Sequence, residues 1–262
     1  MKILAMTVCC MDVYPQNNMT CVGGNSVNFA TQCMRSGASR AAVLGCVGAD
    51  AYGAAIRNHL EKHTIDHSHL HTADGATAHN MIYISESGER FFRPDSWCGG
   101  VYQTFRLSDA DWKFVNAHDL VAMPSVDPNF PDALSHLAHS GKLVVDFLDR
   151  HDFAMMEVVI PAAALAFISG DSRVVTRLAA LSRTTGTPVI VTHGSEGSTA
   201  LVNGELVRQK AIPVDTVVDT TGCGDAYQAA FVISWFAARD VKAAMAAGAV
   251  AAARVLTRHG GV

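Results

Sequence analysis

Short apolar runs alternate with longer amphipathic stretches through the second half of the chain. The apolar runs are four to five residues long, which is typical of buried strands, and they lie at residues 120–123, 143–147, 165–168 and 189–192. Stretches with helical spacing separate them, for example residues 131–139 and 173–184. Alternating strands and helices with fully apolar strands predict a parallel sheet covered by helices on both faces.

The N-terminal segment has the same character. Residues 3–10 form an apolar run that predicts a first central strand, and Asp12 falls just past it. Ligands of open α/β sheets bind outside the carboxyl ends of the strands, where a carboxylate can accept hydrogen bonds from hydroxyl groups. The alternative is an ordinary turn aspartate in the loop that reaches Pro15.

A different pattern occupies residues 77–92. Two extended segments, 77–84 and 89–92, are joined by the turn sequence S-E-S-G, which predicts a β-hairpin. An antiparallel element inside a βα pattern is expected to project from the main sheet.

Composition narrows the class of protein. The 262 residues carry a net charge of −4 and no basic cluster, which argues against nucleic-acid binding. Seven scattered cysteines without paired spacing favour a reducing, cytoplasmic environment over a disulfide scaffold. No apolar run approaches transmembrane length, so we expect a single α/β domain over residues 1–262 that does not bind a membrane.

The sequence D-T-T-G-C-G-D-A-Y at residues 219–227 stands at the start of a strongly helical stretch. Gly222 and Gly224 let the backbone turn sharply, and the free N–H groups of the helix N-terminus form an anion site. Asp225 beside such a site is suited to take a proton from a hydroxyl while the N–H groups hold a phosphoryl group. The alternative is a common helix N-terminus with aspartate in its first turn.

Two weaker patterns precede and follow the apolar strands. In G-G-N-S-V-N-F-A, Asn25 and Asn28 lie one turn apart, and each amide offers both a donor and an acceptor to sugar hydroxyls. V-T-H-G-S-E-G at 191–197 places a glycine turn after a strand, which suits phosphate contacts. There is no G-x-x-x-x-G-K-[ST] sequence, so a P-loop is excluded.

Taken in order, these segments resemble the ribokinase-like (PfkB) carbohydrate kinases nearly from end to end. G-C-V-G-A-D-A-Y-G at 45–53 and the G-E-R turn at 88–90 also match that family's motifs. The resemblance implies an α/β ribokinase-like fold: a central, mostly parallel sheet flanked by helices, with a small β lid at about residues 77–100. It also implies an ATP-dependent kinase that phosphorylates a primary hydroxyl of a small sugar.

The resemblance implies roles for individual residues. Asp225 corresponds to the catalytic base, and Gly222, Cys223 and Gly224 correspond to the anion hole. Cys223 replaces the family's usual alanine, either as a small residue or as a thiol of lowered pKa. The other implied contacts are to the sugar by Asp12, Gly24 and Asn28, and to ATP by Thr192, Gly194, Gly197 and Thr221.

The chain departs from the family in the region that organises magnesium. Leu148 replaces the asparagine of a D-x-N-x-R motif, and S-G-D-S at 169–172 stands where the family has N-x-x-E. Asp146 and Asp171 are therefore the candidates for charge near Mg²⁺. A monovalent cation near residues 219–221 and 259–260 is a further expectation from the family.

Within the family, G-G-N-S-V-N and S-H-L-H-T (68–72) look most like kinases of Amadori compounds, which are sugars joined to lysine. A lysine carboxylate would need a cation, and the hairpin supplies Arg90 and Arg93, of which Arg93 is the predicted contact. The alternatives are that these arginines are solvated or pair across a homodimer formed through the lid. Another ketose, ribose or a nucleoside as substrate, or a non-catalytic sugar- or nucleotide-binding regulator on the same fold, also remains open.

Overall fold

Fifteen strands and eight α-helices make up the fold in the computed structural model, which describes residues 1–262. The strands are β1 (Lys2–Thr7), β2 (Cys10–Tyr14), β3 (Met19–Gly23), β4 (Arg40–Gly48), β5 (Asp66–Ala73), β6 (His79–Met81), β7 (Tyr83–Ile84), β8 (Arg90–Phe91), β9 (Trp97–Cys98), β10 (Leu120–Pro124), β11 (Leu143–Asp146), β12 (Leu165–Ser169), β13 (Val189–Thr192), β14 (Ser198–Val202) and β15 (Glu205–Gln209). The helices are α1 (Asn25–Arg35), α2 (Ala51–Lys62), α3 (Asp109–Asn116), α4 (Phe130–Leu137), α5 (Phe153–Val159), α6 (Ser172–Thr185), α7 (Cys223–Ala238) and α8 (Val241–Val255).

Nine strands form the central sheet in the order β15-β14-β13-β12-β11-β10-β1-β4-β5. The seven from β13 to β5 run parallel, whereas β14 and β15 are antiparallel to their neighbours. The four apolar runs predicted as strands in the second half coincide with β10 to β13. The predicted mostly parallel sheet is therefore confirmed.

Both faces of this sheet are buried, which explains why its strands are apolar without alternation. In β1, Ile3 and Ala5 join a core shared with α1, α2, α7 and α8, whereas Leu4 and Met6 join the opposite core shared with α3 to α6. No helix combines the length and the apolar character that crossing a bilayer would require.

A second, smaller sheet has the order β3-β2-β6-β9, and β7 pairs with β8 beside it. The predicted hairpin is present between β7 and β8, where Tyr83 lies opposite Phe91. Its first segment, however, starts further back as β6, which runs parallel to β2. The small sheet therefore combines β6 and β9, which precede and follow the β7–β8 hairpin in the chain, with the two N-terminal strands β2 and β3.

The N-terminal strand is shorter than the sequence indicates. It ends at Thr7, because Val8 turns away to α1: its N–H donates to Ser26 Oγ (3.0 Å) and its carbonyl accepts from Ser26 N–H (3.2 Å). Cys10 then begins β2 in the small sheet. Asp12 consequently lies within a strand of that sheet and not in a loop after the first central strand.

The segment before α7 is an apolar run without regular secondary structure. Residues 211–218 form no strand, and several of them are exposed. Pro213 lacks the N–H that a strand partner would need. Val218 N–H instead bonds the carbonyl of Leu256 after α8 (2.8 Å), so the segment leads along the surface into α7.

Candidate active site

The sequence predicts an anion site at the N-terminus of α7. Gly222 caps the helix at φ 75°, and a Cβ there would lie 2.3 Å from Cα of Gly261, so only glycine fits. The backbone N–H groups of Gly224 and Asp225 have no acceptor within the protein. Nothing lies within 4 Å of the position that a Cβ of Gly224 would occupy. Two free N–H donors and an open space beside them fit a phosphoryl oxygen.

Asp225 is fixed by two asparagines of α1. Its Oδ1 accepts from Asn25 Nδ2 and its Oδ2 from Asn28 Nδ2, both at 2.8 Å. Burial raises its pKa to about 7, and the charge of Asp146 acts in the same direction, while the bond from Asn28 and the charge of Arg90 oppose them. A carboxylate with a pKa near neutrality is a suitable proton acceptor for a substrate hydroxyl.

Asn25 links this carboxylate to a second one. Its Nδ2 also donates to Asp146 Oδ2 at 3.2 Å, and Asp146 Oδ1 accepts from the Leu148 N–H at 2.8 Å. The sequence shows Asn25 one turn from Asn28, but its carboxylate partners are 121 and 200 residues away. Only the fold reveals that Asn25 positions both carboxylates.

Two of the predicted sugar-binding residues carry a buried oxygen that has no hydrogen-bond donor. Asp12 is 4% exposed and its Oδ2 has no hydrogen bond, and the same is true of Oδ1 of Asn28, which is 3% exposed. A buried unpaired acceptor is costly, so these two oxygens indicate a ligand that donates hydrogen bonds. Burial raises the pKa of Asp12 to about 7, against the opposing charge of Arg90 and with the nearby carboxylate of Asp225.

Gly24 supports the same region through its backbone. It stands before α1 at φ 92°, where a Cβ would lie 2.5 Å from the carbonyl oxygen of Val8. The tight approach places the start of α1, with Asn25 and Asn28, against the end of the first central strand.

Asp219 joins three parts of the chain and was missed as a site residue by the sequence. Fully buried, it accepts hydrogen bonds from Tyr14 Oη (2.6 Å) in the small sheet, from Thr221 N–H (2.8 Å) and from Gly260 N–H (2.9 Å). Because its carboxylate oxygens already accept these hydrogen bonds, a monovalent cation here would have to be held by loop carbonyls alone. Thr221 Oγ1 is buried without a partner.

The glycine turn predicted for ATP lies at the carboxyl end of β13. Thr192 ends the strand, Gly194 adopts φ 58° with open space around it, and a Cβ on Gly197 would meet the carbonyl of Gln209 at 2.1 Å. None of the turn's hydrogen bonds reaches Asp225. The link to α7 comes from Ser198 Oγ, which lies 2.8 Å from Tyr227 Oη.

Neither candidate magnesium residue offers a free carboxylate oxygen. Asp171 is exposed, caps α6 through the N–H groups of Arg173 and Val174, and pairs with the Arg173 guanidinium (2.6 Å). Both oxygens of Asp146 already accept hydrogen bonds. The residues present therefore do not form a preformed magnesium site, and the ion would depend on ATP phosphates and water.

The two hairpin arginines contact different aromatic rings. Arg93 lies over the ring of Tyr83, with its Cζ 4.0 Å from the centroid, whereas Arg90 Cζ lies 5.3 Å from the ring of Phe92. The charge of Arg90, and not that of Arg93, lowers the pKa of Asp12, Asp146 and Asp225. Arg90, whose N–H donates to Thr220 Oγ1 (3.0 Å), therefore lies nearer these carboxylates than the predicted contact Arg93 does.

Cys223 shows no sign of a reactive thiolate. Burial raises its pKa, and Asp225 and Glu89 act in the same direction, while Arg90 opposes them. Of the two readings of this position, the structure favours the small residue that replaces alanine.

Comparisons with known proteins agree with this geometry. The pfkB family of carbohydrate kinases matches residues 12–262. The chain is 35% identical to the fructoselysine 6-kinase of Escherichia coli K12 over 256 residues, which covers 96% of this chain and 95% of the relative. It is 25% identical to the fructosamine kinase FrlD of Bacillus subtilis, with 99% and 92% covered.

Solved structures show the same fold. The adenosine kinase of Sinorhizobium meliloti superposes with a TM-score of 0.84 at 21% identity, covering 99% of this chain and 95% of that one. Arabidopsis thaliana ribokinase, complexed with ribose and ATP, gives 0.80 at 18% identity, with 99% and 93% covered. The chain belongs to the pfkB family of carbohydrate kinases and is an ATP-dependent sugar kinase.

Proposed function

We propose that the protein transfers the γ-phosphoryl group of ATP to the carbon-6 hydroxyl of fructoselysine. The observation that carries the sugar site is the pair of buried, unpaired acceptors, Asp12 Oδ2 and Asn28 Oδ1, beside Asp225. Sugar hydroxyls are hydrogen-bond donors and satisfy such acceptors. The assignment of fructoselysine as the substrate is supported in addition by the similarity of nearly the whole chain to fructoselysine 6-kinases.

In this proposal Asp225 takes the proton of the sugar's primary hydroxyl. The hydroxyl oxygen then forms a bond to the γ-phosphorus while the bond between that phosphorus and the β,γ-bridging oxygen breaks, and ADP leaves with the electron pair. The N–H groups of Gly224 and Asp225 stabilise negative charge on the transferring group. Asn25 and Asn28 hold Asp225 in the required orientation.

The nucleotide is expected along the carboxyl edge of the sheet. Thr192, Gly194 and Gly197 would contact the ATP phosphates and ribose, with Thr221 at the start of the anion site. Mg²⁺ bound to the phosphates would reduce their charge during transfer. Asp146 and Asp171 would act on it only through water.

The lysine part of the substrate would leave the site past the hairpin. Arg90 turns toward the carboxylate cluster and is the better-placed partner for the α-carboxylate of lysine. Arg93, of the same residue type and three positions away, faces Tyr83 instead. The pair therefore provides a test variant and a matched control.

The experiment compares kcat/KM for fructoselysine, fructose, ribose and adenosine in the wild type, Arg90→Ala and Arg93→Ala. We expect fructoselysine to be preferred, Arg90→Ala to reduce that preference about tenfold with little change for fructose, and Arg93→Ala to leave it unchanged. If fructose, ribose or adenosine is the best substrate, the fructoselysine assignment is wrong. If none of the four acceptors is phosphorylated, the kinase acts on another sugar and the fructoselysine assignment is again wrong.

We also propose a homodimer formed through the lid. Three large aromatic side chains of this region are exposed by 40% or more: Phe91, Phe92 and Trp97. Exposed aromatic clusters of this kind are typical of protein interfaces. Sedimentation of the wild type and of Trp97→Ser tests this, and a monomeric wild type at micromolar concentration contradicts it.

A further inference from the structure

Two histidines of the sheet-edge strand β5 converge on one buried carboxylate far along the chain. His69 Nδ1 lies 2.7 Å and His71 Nε2 2.8 Å from Oδ1 of Asp111 in α3. The three ligand-type atoms lie within 4.8 Å of one another. None of these residues takes part in the proposed sugar or ATP contacts.

Asp111 is held so that one oxygen faces the histidines. The residue is 1% exposed, and its Oδ2 accepts from the N–H and the hydroxyl of Ser108 at 2.9 and 2.7 Å. This capping box at the start of α3 fixes the carboxylate and leaves Oδ1 for the two imidazoles. Hydrogen bonds of this kind orient the carboxylate ligands of metal sites.

Aromatic rings fix the orientation of the two imidazoles. Phe114 stacks on His69 with ring centroids 4.0 Å apart and an angle of 15°, and Phe105 lies 5.3 Å from His71. The side chain of His71 is 43% exposed, so solvent reaches the cluster on that side. The cluster is thus rigid on its protein side and open on the other.

We propose that His69, His71 and Asp111 form a binding site for a zinc ion, with water as the fourth ligand. Two imidazole nitrogens and one carboxylate oxygen are ligands that Zn²⁺ accepts in a tetrahedral arrangement. On binding, each imidazole carries its proton on the nitrogen that faces away from the ion. The ion would then tie the edge strand β5 to α3, and since it binds only the folded chain, it would stabilise the fold.

Only two of the three proposed zinc ligands lie close together in the sequence. H-x-H places two imidazoles two residues apart on one strand, but the third ligand lies 40 residues after His71. The chain has twelve histidines, and the sequence does not show that these two belong to a cluster, because only the fold brings Asp111 to β5.

The experiment titrates Zn²⁺ into the full, chelator-treated protein by calorimetry, with the absorption of bound Co²⁺ as a measure of coordination number. We expect one tight site with four-coordinate Co²⁺ and a higher Tm with Zn²⁺. His71→Gln and Asp111→Asn are expected to weaken Zn²⁺ binding about 100-fold or more and to abolish the Tm increase. Turnover with MgATP and sugar should persist in His71→Gln.

His67→Gln is the matched control, because His67 lies on the same strand and its Nδ1 contacts only the carbonyl of Ile65 (3.1 Å). It should bind Zn²⁺ as the wild type does. His71 is exposed, so His71→Gln is expected to keep the metal-free Tm, which separates lost binding from lost folding. Equal Zn²⁺ affinity in the wild type and His71→Gln, or octahedral Co²⁺ alone, overturns the proposal.

Discussion

Two regions at the carboxyl edge of the large sheet are built in contrasting ways. In the acceptor pocket, Asp12 and Asn28 are buried, Asp225 is half-buried, and the pKa values of both carboxylates are raised to about 7. The glycine turn at 192–197 is largely open, and its hydrogen bonds lie among β12, β13 and β14.

The two regions differ in when the free-energy cost of binding a substrate arises. In the acceptor pocket the protein already bears the cost of burying charge and unpaired oxygens before the sugar arrives. In the glycine turn this cost is small before binding. The affinity for the nucleotide depends on contacts that form when the nucleotide binds. Substitutions in the pocket should therefore affect sugar binding and chemistry, whereas substitutions in the turn should affect nucleotide binding and leave sugar binding unchanged.

The largest effect is expected for Asp225→Asn. The amide keeps the shape of the carboxylate but cannot take a proton, so kcat should fall by about 10²–10⁴-fold or more. ATP binding, measured by calorimetry, should change little. Asp152→Asn is the control, because Asp152 caps α5 at the surface and has no role in the proposed site. A variant at position 225 with near wild-type turnover would contradict the base assignment.

The pH profile tests the raised pKa values of the pocket. Asp225 must be ionised to accept the proton, so kcat/KM for the sugar should rise about tenfold per pH unit below pH 7 and level off above it. Ionisation of Asp12, also with a pKa near 7, is expected to steepen the rise. Steady-state kinetics between pH 5 and 8 measure this, and a flat profile would show that neither group titrates in that range.

Asp12→Asn should separate binding from stability. Loss of the charged acceptor should raise the sugar KM by about 5- to 150-fold, the equivalent of about 1–3 kcal/mol. Because burial raises the pKa of Asp12 from 3.8 to about 7, the folded state holds its proton longer than the unfolded state. Stability of the wild type therefore falls as pH rises from about 4 to 7.

Asp12→Asn removes this dependence. The variant should be more stable than the wild type at pH 8, by up to about 4 kcal/mol, which is the free energy that corresponds to raising the pKa from 3.8 to about 7, and the difference should shrink toward pH 4. Urea unfolding at both pH values measures it. A variant that is less stable at pH 8 would show that the buried carboxylate is favourable and that the pocket stores no such cost.

The smallest effect is expected in the glycine turn. Gly194 has φ 58° with open space around it, so Gly194→Ala should cost about 1 kcal/mol of backbone strain and raise the ATP KM a few-fold without changing the sugar KM. Gly197→Ala is the contrast, since its Cβ would meet the carbonyl of Gln209 and should lower the Tm. A large loss of sugar affinity in Gly194→Ala would mean that the two regions are coupled.

The sequence by itself determined the parallel sheet, because strands buried on both faces must be apolar throughout, as β10 to β13 are. It also indicated the glycine turn before α7 and the hairpin at β7 and β8, since turn chemistry is local. It misplaced Asp12 and missed the β2 and β3 contribution to the small sheet, because Val8 leaves β1 to bond Ser26, a contact that no local pattern encodes.

Tertiary structure alone decided which distant groups share an environment. Asn25 joins Asp146 to Asp225, Asp219 receives donors from Tyr14 and Gly260, and the charge of Arg90 lowers the pKa of Asp12 and Asp225. Hydrogen bonding and pKa depend on separation in space, and the fold brings together residues as distant in sequence as Tyr14 and Asp219, which are 205 positions apart. Apolar strands and turns can therefore be predicted from the sequence. The burial of individual side chains, their hydrogen-bond partners and the charges around them require the fold.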